Sequence, residues 1–90
     1  MLRMFYITQD EGYYIIYMNY ITDEMRIQLM EIVNDEIVYE TDEIVYFFHY
    51  SIGVRIDSHQ LGILQRYLKS LDFIEQKLSL IHISEPTRPY

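Results

Sequence analysis

With His82 set aside as part of a C-terminal segment considered below, the imidazoles of His49 and His59 are the groups best suited to proton transfer or metal ligation near neutral pH. Asp57 and His59, separated by Ser58, bring a carboxylate and an imidazole within reach of one metal ion. Asp57 has a competing role, because Asp57 and Gln60 are spaced as the N-cap and N3 residues of a capping box, which needs no metal. His49 lies in an aromatic run, the setting of a satisfied core or half-exposed imidazole rather than of a ligand. The carboxylate pairs Asp10-Glu11, Asp23-Glu24, Asp35-Glu36 and Asp42-Glu43 all fall at turn or helix-start positions. No apolar surroundings there would raise a carboxyl pKa into the range of a general acid. Ser51, Ser58 and Ser70 sit in no nucleophile motif, and Gly12, Gly53 and Gly62 do not form a phosphate-cradling loop. Cysteine is absent, which removes disulfides, thiolate catalysis and cysteine-based zinc sites together. These residues predict no catalytic centre, no metal site and no cofactor.

The elements that carry them are better defined. Asp35–Tyr50 reads DEIVYETDEIVYFFHY, in which Asp-Glu-Ile-Val-Tyr occurs at Asp35–Tyr39 and again at Asp42–Tyr46. β-branched and aromatic residues on either side of a polar link predict a hairpin, with strands over Glu36–Glu40 and Ile44–Tyr50. An earlier hairpin is expected from Leu2–Thr8 and Tyr13–Tyr20, with Gly12 supplying the positive φ of the turn. Thr22-Asp23-Glu24 starts a helix whose buried stripe is Met25, Leu29, Ile32 and Val33, and Asn34 stops it. Ser51-Ile52-Gly53 reads either as a bulge or as a bend into a short extra strand over residues 54–56. A second helix begins at Asp57, with a stripe of Leu61, Leu64, Leu68, Leu71 and Leu78. That stripe suits either packing on the sheet or a short coiled-coil seam.

The expected fold class is therefore α+β: a two-layer antiparallel sheet with two helices on one face, in the order ββαββα. Hairpin–helix–hairpin order is shared with β-grasp domains. By element order it also resembles the half-domain of LAGLIDADG homing endonucleases after its first helix. The acidic-ended motif helix of that second family has no counterpart before Met4, so neither resemblance transfers a residue or an activity.

Ninety residues suffice for one small domain, and half of them are hydrophobic. Alanine is absent while isoleucine and tyrosine are abundant, which favours sheet over a helical bundle. Seven basic against fourteen acidic residues leave a formal charge of −7. That field disfavours nucleic acid and anionic membranes as partners. The longest uncharged apolar stretch, Ile44–Val54, is too short to span a bilayer as a helix. Met1-Leu2-Arg3 leads straight into a strand pattern without a signal peptide, so cytoplasmic residence is expected.

Leu78–Arg88, LSLIHISEPTR, resembles the in-frame translation of a transposase adapter used in sequencing libraries. The resemblance implies a single domain over residues 1–77, either complete or cut short at its C-terminal end, with a non-native tail over residues 78–90. Two functions follow as expectations. In the first, the chain is a small acidic interaction module that meets a protein partner or a second copy of itself through a Tyr-rich sheet face. The expected residues of that face are drawn from Tyr13, Tyr14, Tyr17, Phe47 and Phe48, and the alternation of the strands leaves open which parity faces out. In the second, it is a truncated piece of a longer enzyme or nucleic-acid-binding protein whose site lies beyond residue 77.

Overall fold

A computed structural model describes residues 1–77 of the chain. They form an α+β fold with one five-stranded sheet and two helices. In chain order the elements are β1 (Met4–Asp10), β2 (Tyr13–Met18), α1 (Asp23–Ile32), β3 (Ile37–Thr41), β4 (Tyr50–Val54), α2 (Ser58–Ser70) and β5 (Ile74–Glu75). Across the sheet the strands run β3-β4-β2-β1-β5, which places β2 at the centre. The class and the two helices match the sequence reading. The sheet departs from it, because β5 pairs in parallel with β1 and makes the sheet mixed.

β5 exists because α2 stops early. A stripe running to Leu78 implied a longer helix, but the chain turns at Asp72, whose φ of 69° is left-handed. Phe73 N–H donates to Leu68 O at 3.1 Å and Asp72 N–H to Lys69 O at 3.0 Å, the two bonds of a Schellman motif. Phe73 is buried beside Phe5, edge to face, and Ile74 N–H then donates to Arg3 O at 2.8 Å to start β5. Arg3 holds the same corner with its side chain, donating to Leu71 O at 2.8 Å while lying 4.5 Å over the Tyr20 ring. The part of the stripe at Leu78 lies outside the described residues, and so does the rest of the adapter-like segment.

Helix α1 ends by the same device at Asn34, the expected stop. Its φ is 60°, and Asp35 N–H reaches Met30 O at 3.0 Å while Asn34 N–H reaches Glu31 O at 3.1 Å. Both helix starts follow the sequence. The Thr22 hydroxyl accepts from Met25 N–H, and Asp57 with Gln60 completes a capping box. The Gln60 amide also donates to Ile32 O at 3.3 Å, which ties the start of α2 to the end of α1.

Strand register sorts the apolar residues into two sets. Phe5 pairs with Met18, Ile7 with Ile16, Ile16 with Ile52, and Tyr14 with Val54, so all of these share one face. That face packs against Met25 and Leu29 from the first helix, Val33 at its C-terminal cap, and Leu64 and Leu68 from the second helix, in one buried cluster. Leu64 and Leu68 are wholly buried. Leu68→Ala is expected to lose about 2–5 kcal/mol of stability through lost burial and the cavity left behind. Urea denaturation showing no loss would mean that α2 is not held by this core.

Candidate functional site

The other face of the sheet carries the residues of interest. Alternation along β2 places Tyr13, Ile15 and Tyr17 there, opposite Asp10, Thr8 and Tyr6 of β1. Tyr14 faces the helices and packs against their core, so the register decides the parity that the sequence left open. Across the sheet, Ile15 meets Gly53 and Tyr17 meets Ser51 in β4. Residues 51–53 therefore lie within β4, and the bulge sits on the neighbouring strand. Ile37 pairs with Val54 and Tyr39 with Gly53, which leaves Val38 as the extra residue. That one-residue insertion turns Tyr39 onto the outer face while Ile37 stays against the helices' core.

Small residues in β4 make room for large ones beside them. A Cβ at Gly53 would lie 2.8 Å and 3.0 Å from two ring carbons of Tyr39, and 3.3 Å from a ring carbon of Tyr13. Gly53 is thus required by the close approach of two rings rather than by an unusual backbone angle. Tyr13 and Tyr39 meet nearly perpendicular, with centroids 6.3 Å apart. The Tyr13 hydroxyl donates to Asp10 Oδ2 at 3.1 Å, and this hydrogen bond raises the phenol pKa. Burial raises those of Tyr17 and Tyr39, with the carboxylate of Asp10 adding to both.

The segment 42–49 is not a strand. Ile44–Tyr50 was expected to pair as a strand, yet β4 begins only at Tyr50. Its partner explains this: the pairing of β2 ends at Met18 opposite Tyr50, and beyond it the chain bends toward the Thr22 cap. With no strand left to pair against, the second Asp-Glu-Ile-Val-Tyr copy folds into a tight turn. Val45 N–H donates to Phe48 O at 2.8 Å and Phe48 N–H to Val45 O at 3.0 Å. Tyr46, at the first central position, has φ of 58°, which ordinarily favours glycine there.

This loop lies on the outer face. Phe48 is 1% exposed and sits 5.9 Å from the Tyr17 ring, which stacks on Tyr6 at 6.0 Å. Tyr6, Ile15 and Phe48 are all buried, yet none belongs to the cluster under the helices. They form a second, smaller core. Beside it the ring of Phe47 lies 4.5 Å from Phe48 and is 43% exposed, with Tyr46 and Ile44 exposed as well. Of the residues singled out from the sequence, Tyr13, Tyr17, Phe47 and Phe48 come together on or beside this face, and Tyr14 does not. Tyr6 and Tyr39 belong to it and were not singled out; Tyr39 required the bulge to be known.

Several polar groups away from this face tie elements together. Arg26 on α1 grips Glu40 of β3 through two hydrogen bonds, Nε to Oε2 and Nη2 to Oε1, the latter 2.7 Å long. The Tyr50 hydroxyl donates to the same carboxylate at 2.7 Å. The guanidinium holds the Glu40 carboxyl below its usual range, while burial pushes the Tyr50 phenol up. Asn19 is satisfied on both sides, accepting from Met4 N–H at 2.7 Å and donating to Leu2 O at 2.8 Å. His49 and His59 are both exposed, and among the described residues no three His, Asp or Glu side chains are grouped to hold a metal ion. No helix of the described residues is long and apolar enough to cross a membrane.

Replacing Gly53 by alanine is expected to cost about 1–3 kcal/mol, because the new methyl overlaps the Tyr39 ring. Tyr39→Ala in the same chain should recover a large part of that loss. Equal costs with and without the Tyr39 ring, measured by denaturation of the four variants of a double-mutant cycle, would contradict the packing argument. Compared with known proteins, the chain matches no family model, no curated protein and no solved structure.

Proposed function

We propose that the chain is a small interaction module that binds another protein through the outer face of its sheet. One observation carries the reading: Ile44, Tyr46 and Phe47 are exposed side by side on a loop anchored by a buried ring, next to a row of half-buried tyrosines. Anchoring matters because a loop fixed by Phe48 presents its apolar side chains without a large ordering cost on binding. Tyrosines suit such a surface, since each pairs a broad apolar ring with a hydroxyl that bonds to water or to a partner. The acidic balance of the chain supports a protein rather than a nucleic acid or an anionic membrane as the partner.

The positive φ of Tyr46 fits the same reading. A bulky residue in the left-handed region costs on the order of 1 kcal/mol, and such strain concentrates where a side chain must be aimed. Here it aims Tyr46 and Phe47 outward while Val45 and Phe48 close the turn. Binding of a hydrophobic dye reads the patch directly. The chain at micromolar concentration is expected to bind the dye, and Phe47→Ser to weaken that binding about threefold or more while leaving stability within about 1 kcal/mol. A folded chain that takes up no dye would remove the basis for this reading.

A further inference from the structure

The occupant of the outer face can be narrowed by charge. Asp10 reaches into the tyrosine row through its bond to Tyr13, and Glu11 follows it in the exposed turn. On the opposite side, exposed Asp42 and Glu43 lead into the loop that carries Ile44, Tyr46 and Phe47. The two ion pairs among the described residues, Arg26–Glu40 and Lys69–Glu75, engage none of these four carboxylates. Arg55, exposed just past β4, stands against the carboxylates of Asp10 and Glu11 at this end of the face.

We infer that this face takes a basic protein segment. A lysine or arginine of the partner settles against the rings of Tyr13 and Tyr39 with Asp10 beside it, and an apolar side chain about four or more residues further along the segment, beyond Tyr17, packs on Phe47. A cation over an aromatic face is attracted by the ring quadrupole, and a carboxylate at the ring edge adds to that attraction. A second copy of the chain fits poorly. With carboxylates at both ends of the face, an isologous contact would bring acidic border against acidic border, and each copy already carries a net charge of −7. The inference rests on the reading above that the outer face is the docking surface, and it adds the chemistry of what docks.

A fluorescein-labelled peptide of alternating arginine and leucine serves as probe, with a glutamate–leucine peptide of equal length as control. Two triple variants have the same net charge. One neutralises the rim (Asp10→Asn, Asp42→Asn, Glu43→Gln), and the other neutralises exposed acids on or after the helices (Glu24→Gln, Glu31→Gln, Asp72→Asn). The intact chain is expected to bind the basic probe and not the acidic one. The rim variant should bind it about tenfold more weakly, and the helix variant within about twofold of the intact chain. Equal weakening by both triples would mean that only the overall charge matters and would overturn the inference. So would failure of the intact chain to bind the basic probe, or a dimer in solution that Phe47→Ser dissociates. In those cases the dye measurement decides separately whether the face is still a docking surface.

Discussion

Strand β2 lies at the centre of the sheet and is apolar or aromatic at every position from Tyr13 to Met18, so both of its faces must be covered. Two helices of this length cover one face. Met25, Leu29, Leu64 and Leu68 fill the space over Ile16 and Met18, leaving Ile15 and Tyr17 on the far side. Water against those residues would forgo on the order of 1.5–3 kcal/mol for each large side chain left uncovered. The chain resolves this with its own β3–β4 connection, which folds back and buries Phe48 beside Tyr17. The cover is partial. What Phe48 does not reach is left to the half-buried rings of Tyr13, Tyr17 and Tyr39, and the loop that brings Phe48 in leaves Phe47 exposed.

The outer face is thus built by exchange of volume between neighbours. Ser51 and Gly53 in β4 are small, and the space above them goes to Tyr17, Tyr13 and Tyr39. A bulge at Val38 puts Tyr39 on the correct side for that space. The helix face obeys a different rule, with aliphatic side chains, two methionines and three aromatic rings packed into one buried cluster and a polar clamp at one margin. There Arg26, Glu40 and Tyr50 join α1, β3 and β4 through hydrogen bonds that leave the carboxylate fully engaged. One face is a closed core. The other is a half-buried aromatic surface with exposed carboxylates at its border, the contrast on which the proposal of a binding side rests.

Local signals in the sequence located most elements. Gly12 marked the first turn, Thr22 and Asp57 the helix starts, and Asn34 the stop, because each acts through bonds to its own chain neighbours. Signals that depend on distant partners misled. The run from Ile44 to Tyr50 has every local feature of a strand, and it fails to be one because β2 ends where its partner would be needed. Similarly, the leucine spacing continued past Ser70, but a left-handed Asp72 ends the helix and a buried Phe73 starts an edge strand. The aromatic face itself was visible as an excess of apolar residues on both parities of β2. Which tyrosines form it was not, because one bulged residue reassigns Tyr39 and no local pattern announces the bulge.

The account depends most on the second core, and Phe48 is its test. Phe48→Ala removes the ring that fixes the 42–49 loop against Tyr17 while leaving the helix-side cluster intact. Urea denaturation of this variant against the parent chain measures the anchor directly. A loss of about 3–5 kcal/mol, the range for a fully buried phenylalanine, is the predicted result. A loss under about 1 kcal/mol would contradict the account, because the loop would then not be seated on the sheet and the outer face would have no rigid frame for binding.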